Sequence, residues 1–242
     1  MKIAVLLCAT LALARSPAFA SVYGLDLTVH ACPGNPGSSA DAGILDCAGG
    51  QMVTLLATFV PQDPVTDLNG IDAVFGITVA GDIASQATFW DFATNAAGVS
   101  VEAFRPSSGC AAPAYADTWQ ATNSGCSAAG VYPVYARSDY SRVVATAFRA
   151  PAMVAAAGQR LFGLVLRIDT GTSIEHSGNA ARLGCTRPAS IVLEQVMVRG
   201  AGGSSAALVT PAYAGSTVML NGGTTPVAAR ATTWGRLKSL YR

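Results

Sequence analysis

Cysteine is the residue type whose spacing promises most chemistry. Six occur in the 242-residue chain, and the five beyond the N-terminal apolar run are Cys32, Cys47, Cys110, Cys126 and Cys185. Cys32 and Cys47 bracket PGNPGSSADAGILD, while Cys110 and Cys126 bracket AAPAYADTWQATNSG. In an oxidising compartment, local disulfides Cys32–Cys47 and Cys110–Cys126 are the expected pairs. Each closes a loop of about 15 residues, for which chain entropy gives roughly 3 kcal/mol. Cys185 is then unpaired: a buried thiol, an intermolecular bridge, or a cysteine whose partner is missing. Zinc is disfavoured, because no C-x-x-C occurs and the histidines are only His30 and His176.

Catalytic groupings are sparse. His176 lies in GTSIEHSGN beside Ser173, Glu175 and Ser177. Triad members come from separate parts of a chain, and no G-x-S-x-G elbow is present. The expectation is a polar loop histidine, with His30 structural. The glutamates are Glu102, Glu175 and Glu194; a glycosidase needs two facing carboxylates, and nothing in the spacing pairs these. No catalytic residue is assigned, and the chain reads as a non-enzyme.

Two binding groups stand beside that reading. Asp63, Asp67, Asn69 and Asp72 form an oxygen-rich cluster in PQDPVTDLNGID that could hold Ca2+, the one cofactor considered. Ile71 breaks the EF-hand spacing, so a solvated turn is the plainer account. Trp90, Tyr115, Trp119 and Tyr132 could form an aromatic platform for carbohydrate or peptide, or simply pack beneath a long loop.

The elements that must position these residues have a period of two. In NGIDAVFGITVAGD, Ile71, Ala73, Phe75, Ile77 and Val79 alternate with Asp72, Val74, Gly76 and Thr78, which predicts a central strand. Further strands are expected at 23–30, 52–60, 88–92, 99–104, 143–148, 161–169, 191–198, 207–210 and 217–220. The 161–169 run is expected beside the central strand, and residues 105–141 form a long loop. With no helical period between them, about nine or ten short strands predict an all-β, antiparallel two-sheet β-sandwich over residues 21–220.

Both ends differ from that domain. Residues 1–20 read as a secretory signal peptide: Lys2, an apolar run, then Ala18-Phe19-Ala20 for cleavage. The run is too short to cross a bilayer, and no later one reaches 18 unbroken apolar residues. Residues 221–242 read as a flexible linker and a tail, ATTWGRLKSLYR, with Trp234, Leu237 and Tyr241 spaced as one helical stripe. The expected location is exported: periplasmic, cell-surface or extracellular.

Charge is distributed unevenly. Residues 21–104 carry nine acids and no Lys or Arg, whereas residues 105–242 carry thirteen bases and five acids. Interleaving strands from the two halves would pair these charges. The bases are scattered, which argues against nucleic acid as a partner.

LTVHAC through GIDAVF, LFGLVLRID, GCTRPASIVLEQV and TTWGRLKSLYR together resemble a group of uncharacterised exported bacterial β-rich proteins. Their pattern has an early cysteine pair and a terminal Trp-Gly-x-x-Lys-x-Leu-Tyr-Arg, matched here by Trp234, Gly235, Lys238, Leu240, Tyr241 and Arg242. In that pattern Cys185 would pair with a cysteine just before Ile-Val-Leu, where this chain has Ser190. The resemblance implies a secreted β-rich protein and no activity. The expected function is therefore a non-enzymatic structural or binding module at the cell surface or outside it. Its tail would meet a surface polymer or sorting machinery. A carbohydrate-binding module and a secreted hydrolase are the alternatives.

Overall fold

Alternation sends every second side chain of a strand to the same face, and here that rule builds the interior. The computed structural model describes residues 24–29, 42–92, 95–103, 125–133, 138–178, 182–200, 202, 205–209 and 216–222. The central run lies in β4 (Val65–Val79). Its residues Ile71, Ala73, Phe75, Ile77 and Val79 are all at most 2% exposed. On either side β4 is flanked antiparallel by β7 (Tyr140–Ala155) and β9 (Ala189–Gly200).

The other strands are β1 (Gly24–Val29), β2 (Ala42–Gly43), β3 (Met52–Val60), β5 (Val99–Ala103), β6 (Gly125–Pro133), β8 (Leu161–Asp169), β10 (Ser205–Val209) and β11 (Thr217–Leu220). One sheet has the order β1-β3-β8-β5; the other runs β2-β11-β9-β4-β7-β6, with β10 also on β9. Among the described residues, all strand pairings are antiparallel except β2 with β11. This is an all-β two-sheet sandwich with one contiguous apolar core.

Several local expectations are corrected. The 161–169 strand does not adjoin β4; β8 pairs with β3 and β5 in the opposite sheet. It faces β4 across the core, where Ile71 Cδ1 lies 3.3 Å from the point a Cβ on Gly163 would occupy. A register shift in the β3–β8 ladder puts Leu161 opposite the inward Phe59 and Phe162 opposite Thr58. Leu161, Leu164, Leu166 and Ile168 of β8 are buried in the core. Thr88–Trp90 is a 3-10 helix, not a strand. Phe89, Trp90 and Phe92 meet edge to face there, with ring centres 5.2–6.4 Å apart, so the aromatic run plugs the sandwich. β4 starts at Val65 within the expected turn, and β6 lies inside the expected 105–141 loop.

The cysteine expectation also changes. Cys47 is bonded to Cys185, with Cα atoms 6.0 Å apart, so it does not pair with Cys32 and Cys185 is not unpaired. The reason is topological. β11 joins β2 to β9, and so brings the loop after β2 against the loop before β9. Closing a longer loop adds only logarithmically to the entropic cost, so short spacing does not decide pairing. Cys32 and Cys110 lie outside the described residues; Cys126 stands in β6 opposite Ala147.

The Cys47–Cys185 bridge spans 138 residues, for which the chain-entropy model gives about 5 kcal/mol. Non-reducing peptide mapping should recover Cys47 joined to Cys185. Replacing both by serine should lower the unfolding free energy by several kcal/mol, to about that limit. A Cys32–Cys47 peptide would contradict the fold.

Candidate functional site

Among the described residues, those singled out in the sequence do not converge. Trp90 is fully buried, and its indole N–H donates to the Gly184 carbonyl at 3.0 Å; it is core, not a ligand platform. Tyr115 and Trp119 lie outside the described residues, while Tyr132 stands in β6 opposite Arg142. Asp63 is exposed, Asp67 accepts from Gly202 N–H, and Asn69 is on β4. Asp72 is committed elsewhere: Arg199 pairs with it and Thr146 Oγ1 donates to it at 2.7 Å. Among the described residues, no three His, Cys, Asp or Glu side chains are grouped as a metal site.

His176 closes a single helical turn, Ile174–Ser177, and is exposed. Its Nδ1 lies 3.0 Å from the Ala48 carbonyl oxygen. No carboxylate among the described residues forms an ion pair or hydrogen bond with it. Glu102 pairs with Arg167 at 2.7 Å, and Glu194 pairs with Arg142 at 2.9 Å. His30 and residues 223–242, including the Trp234–Arg242 motif, lie outside the described residues, as do residues 1–23.

What the fold does assemble is a polar framework on the outward face of the larger sheet. Two glycines of β4, Gly70 and Gly76, leave seats for side chains from its neighbours. Over Gly70 lies the stem of Arg199, its Cδ 3.6 Å from the position of an added Cβ. From there the guanidinium reaches Asp72, its Nε donating at 2.8 Å. Over Gly76, Glu194 from β9 meets Tyr140 from β7, and the tyrosine O–H donates to Glu194 Oε1. Arg142 Nε donates to Glu194 Oε2 at 2.9 Å and to the tyrosine oxygen at 3.0 Å. Its guanidinium carbon is 5.6 Å from the Tyr140 ring centre, a cation–π contact.

The backbone explains how Glu194 gets there. The β4–β9 register passes from Val74↔Gln195 to Phe75↔Leu193, leaving Glu194 as the extra residue of a bulge. Burial first, and then the charge and hydrogen bond of Glu194, push the Tyr140 hydroxyl well above the ordinary tyrosine value. Strand-interior glycines mark close approach by another group, so Gly70 and Gly76 were a readable signal; their partners were not.

A second assembly lies at the crosslinked end. Asn221, at φ 54°, follows β11 and joins both cysteine loops. Its Nδ2 donates to the Cys185 carbonyl at 2.8 Å, and its Oδ1 accepts from Leu45 N–H at 2.9 Å. Ser173 Oγ donates to the Cys47 carbonyl at 2.8 Å. Thr170 Oγ1 accepts from Gln51 N–H and donates to the Asp46 carbonyl. The bridge thus sits among backbone groups whose polar atoms are satisfied from three loops.

The fold and these two assemblies define an all-β sandwich with a braced sheet face and a clamped end. No protein-family profile matches the chain, nor does any curated protein or solved structure.

Two outcomes test the framework. An alanine at Gly76 would put its Cβ 2.7 Å from Tyr140 Oη and closer still to Glu194, expelling one of them. Gly76→Ala should cost about 1–3 kcal/mol in denaturant unfolding. The unfolded chain releases its tyrosine protons near pH 10, while folded Tyr140 holds its proton to higher pH. The stability tied to it is therefore complete below about pH 10 and is lost as pH rises toward the folded value. Between about pH 8 and about pH 11, Tyr140→Phe should lose less stability than the parent; an equal loss would detach Tyr140 from the alkaline response.

Proposed function

We propose that this chain is an exported, non-enzymatic structural or binding module of the cell surface or extracellular space, with its C-terminal segment as the attachment or sorting element. One observation carries the reading: the point where that segment begins is fastened. Asn221 hydrogen-bonds to Leu45, Cys185 and Arg187, and its N–H donates to the Gly43 carbonyl at 2.8 Å. Residues on both sides of the Cys47–Cys185 bridge therefore hold the root of residues 222–242. A pull on the segment would pass into β11, which is paired with β2 and β9, and into the crosslinked loops.

The sequence supports the same reading. Residues 1–20 have the form of a signal peptide, a crosslink suits an oxidising compartment, and residues 223–242 hold four bases and no acid. Trp234, Leu237 and Tyr241 supply an apolar stripe among those bases.

To test it, the chain is expressed with and without residues 231–242 and the cells are fractionated. The full chain should remain cell-associated while the truncated one shifts to soluble fractions. Matching distributions would eliminate the segment's role.

A further inference from the structure

We infer that the outward face of the seven-stranded sheet is a binding surface for a neutral polysaccharide. The face repeats one arrangement twice. At Gly70, the Arg199–Asp72 pair lies beside Phe148, which stands opposite Gly70 in β7 and is 51% exposed. At Gly76, the Arg142–Glu194 pair lies beside Tyr140. Each place combines an aromatic ring, a guanidinium–carboxylate pair and a glycine of β4. The glycines are six residues apart, so the two places are separated by about 20 Å along the strand. Between them run the half-buried Val74, Val144 and Met197, a low apolar floor.

This pattern fits a sugar chain. A pyranose ring has an apolar C–H face that an aromatic ring can cover. Its hydroxyls can accept from the outward N–H groups of Arg199 and Arg142, whose side chains are 56% and 37% exposed, while Asp72 and Glu194, already engaged, hold those planar guanidinium groups in place. The ion pairs already fix these side chains, so less rotamer freedom is lost on binding. Charge selects the class of polymer. On this stretch of the face, the described side chains include two guanidinium groups and two carboxylates, which cancel at a distance. A polyanion gains no net attraction. Two places about 20 Å apart suit an extended chain rather than a single sugar.

This surface is independent of the C-terminal segment, and its test reads binding rather than distribution. The mature chain is run by affinity electrophoresis through gels containing xylan, mixed-linkage β-glucan, galactomannan or starch, and through an alginate gel. It is also mixed with insoluble cellulose and chitin. Binding to at least one neutral polymer is expected. Phe148→Ala and Arg142→Gln should weaken it at least about fivefold while still unfolding cooperatively, and alginate should not retard the protein. Three results would each overturn the assignment: no binding to any neutral polymer, binding unchanged by Phe148→Ala, or stronger retention by alginate. If Arg142→Gln fails to fold, the exposed Phe148 position decides alone.

Discussion

Exclusion of water from the space between the two sheets is the constraint on which the rest of the molecule depends. β4 meets it from the larger sheet with Ile71, Phe75 and Ile77, and β3 and β8 meet it from the smaller one with Leu55, Phe59, Leu164 and Leu166, all at most 1% exposed. Burial of such side chains is worth about 1.5–3 kcal/mol each. A one-residue slip of any of these strands would turn its whole apolar set outward. Register is thus held by the core, and the outward face of β4 takes its positions from the inward one. Gly70, Asp72 and Gly76 come to the outer surface in line because Ile71, Phe75 and Ile77 are pinned inside.

That pinned face leaves room for polar bracing. Side chains of β9 lie over the glycines of β4: Arg199 reaches back to Asp72 there, and Glu194 reaches across to Tyr140 and Arg142 of β7. The bulge at Glu194 makes the second bridge possible by placing an additional side chain outward. The same interleaving pairs three of the nine acids of residues 21–104 with later bases. Arg160 pairs with Asp26, Arg167 with Glu102 and Arg199 with Asp72, each joining a basic residue of the later half to an acid of the earlier half. Being partly exposed, such pairs contribute only modestly to stability. Their consequence is a surface on which opposite charges are close neighbours.

The crosslinked end follows a different logic. β11 is four residues long and would be a weak strand alone, but it lies between β2 and β9. Asn221 then caps it in a left-handed conformation that asparagine tolerates better than most residues. Its side chain bonds to segments 34 to 176 positions away in sequence. The disulfide closes the same junction covalently.

Fold class and most strand positions were legible because period-two alternation is a local property that burial then enforces. β3 falls where Met52–Val60 predicts it, and the inward face of β4 is the one its pattern names. The 88–92 run was not legible: three aromatics close together suit a buried strand or a compact plug equally well, and only the cavity they fill distinguishes the two. Pairing of Cys47 with Cys185, placement of β8 across the core from β4, and the meeting of Tyr140, Arg142 and Glu194 over Gly76 lay beyond the sequence. Alternation says which way a side chain points along its own strand. Which strands become neighbours, and so which distant side chains touch, is decided only when both sheets close over one shared interior.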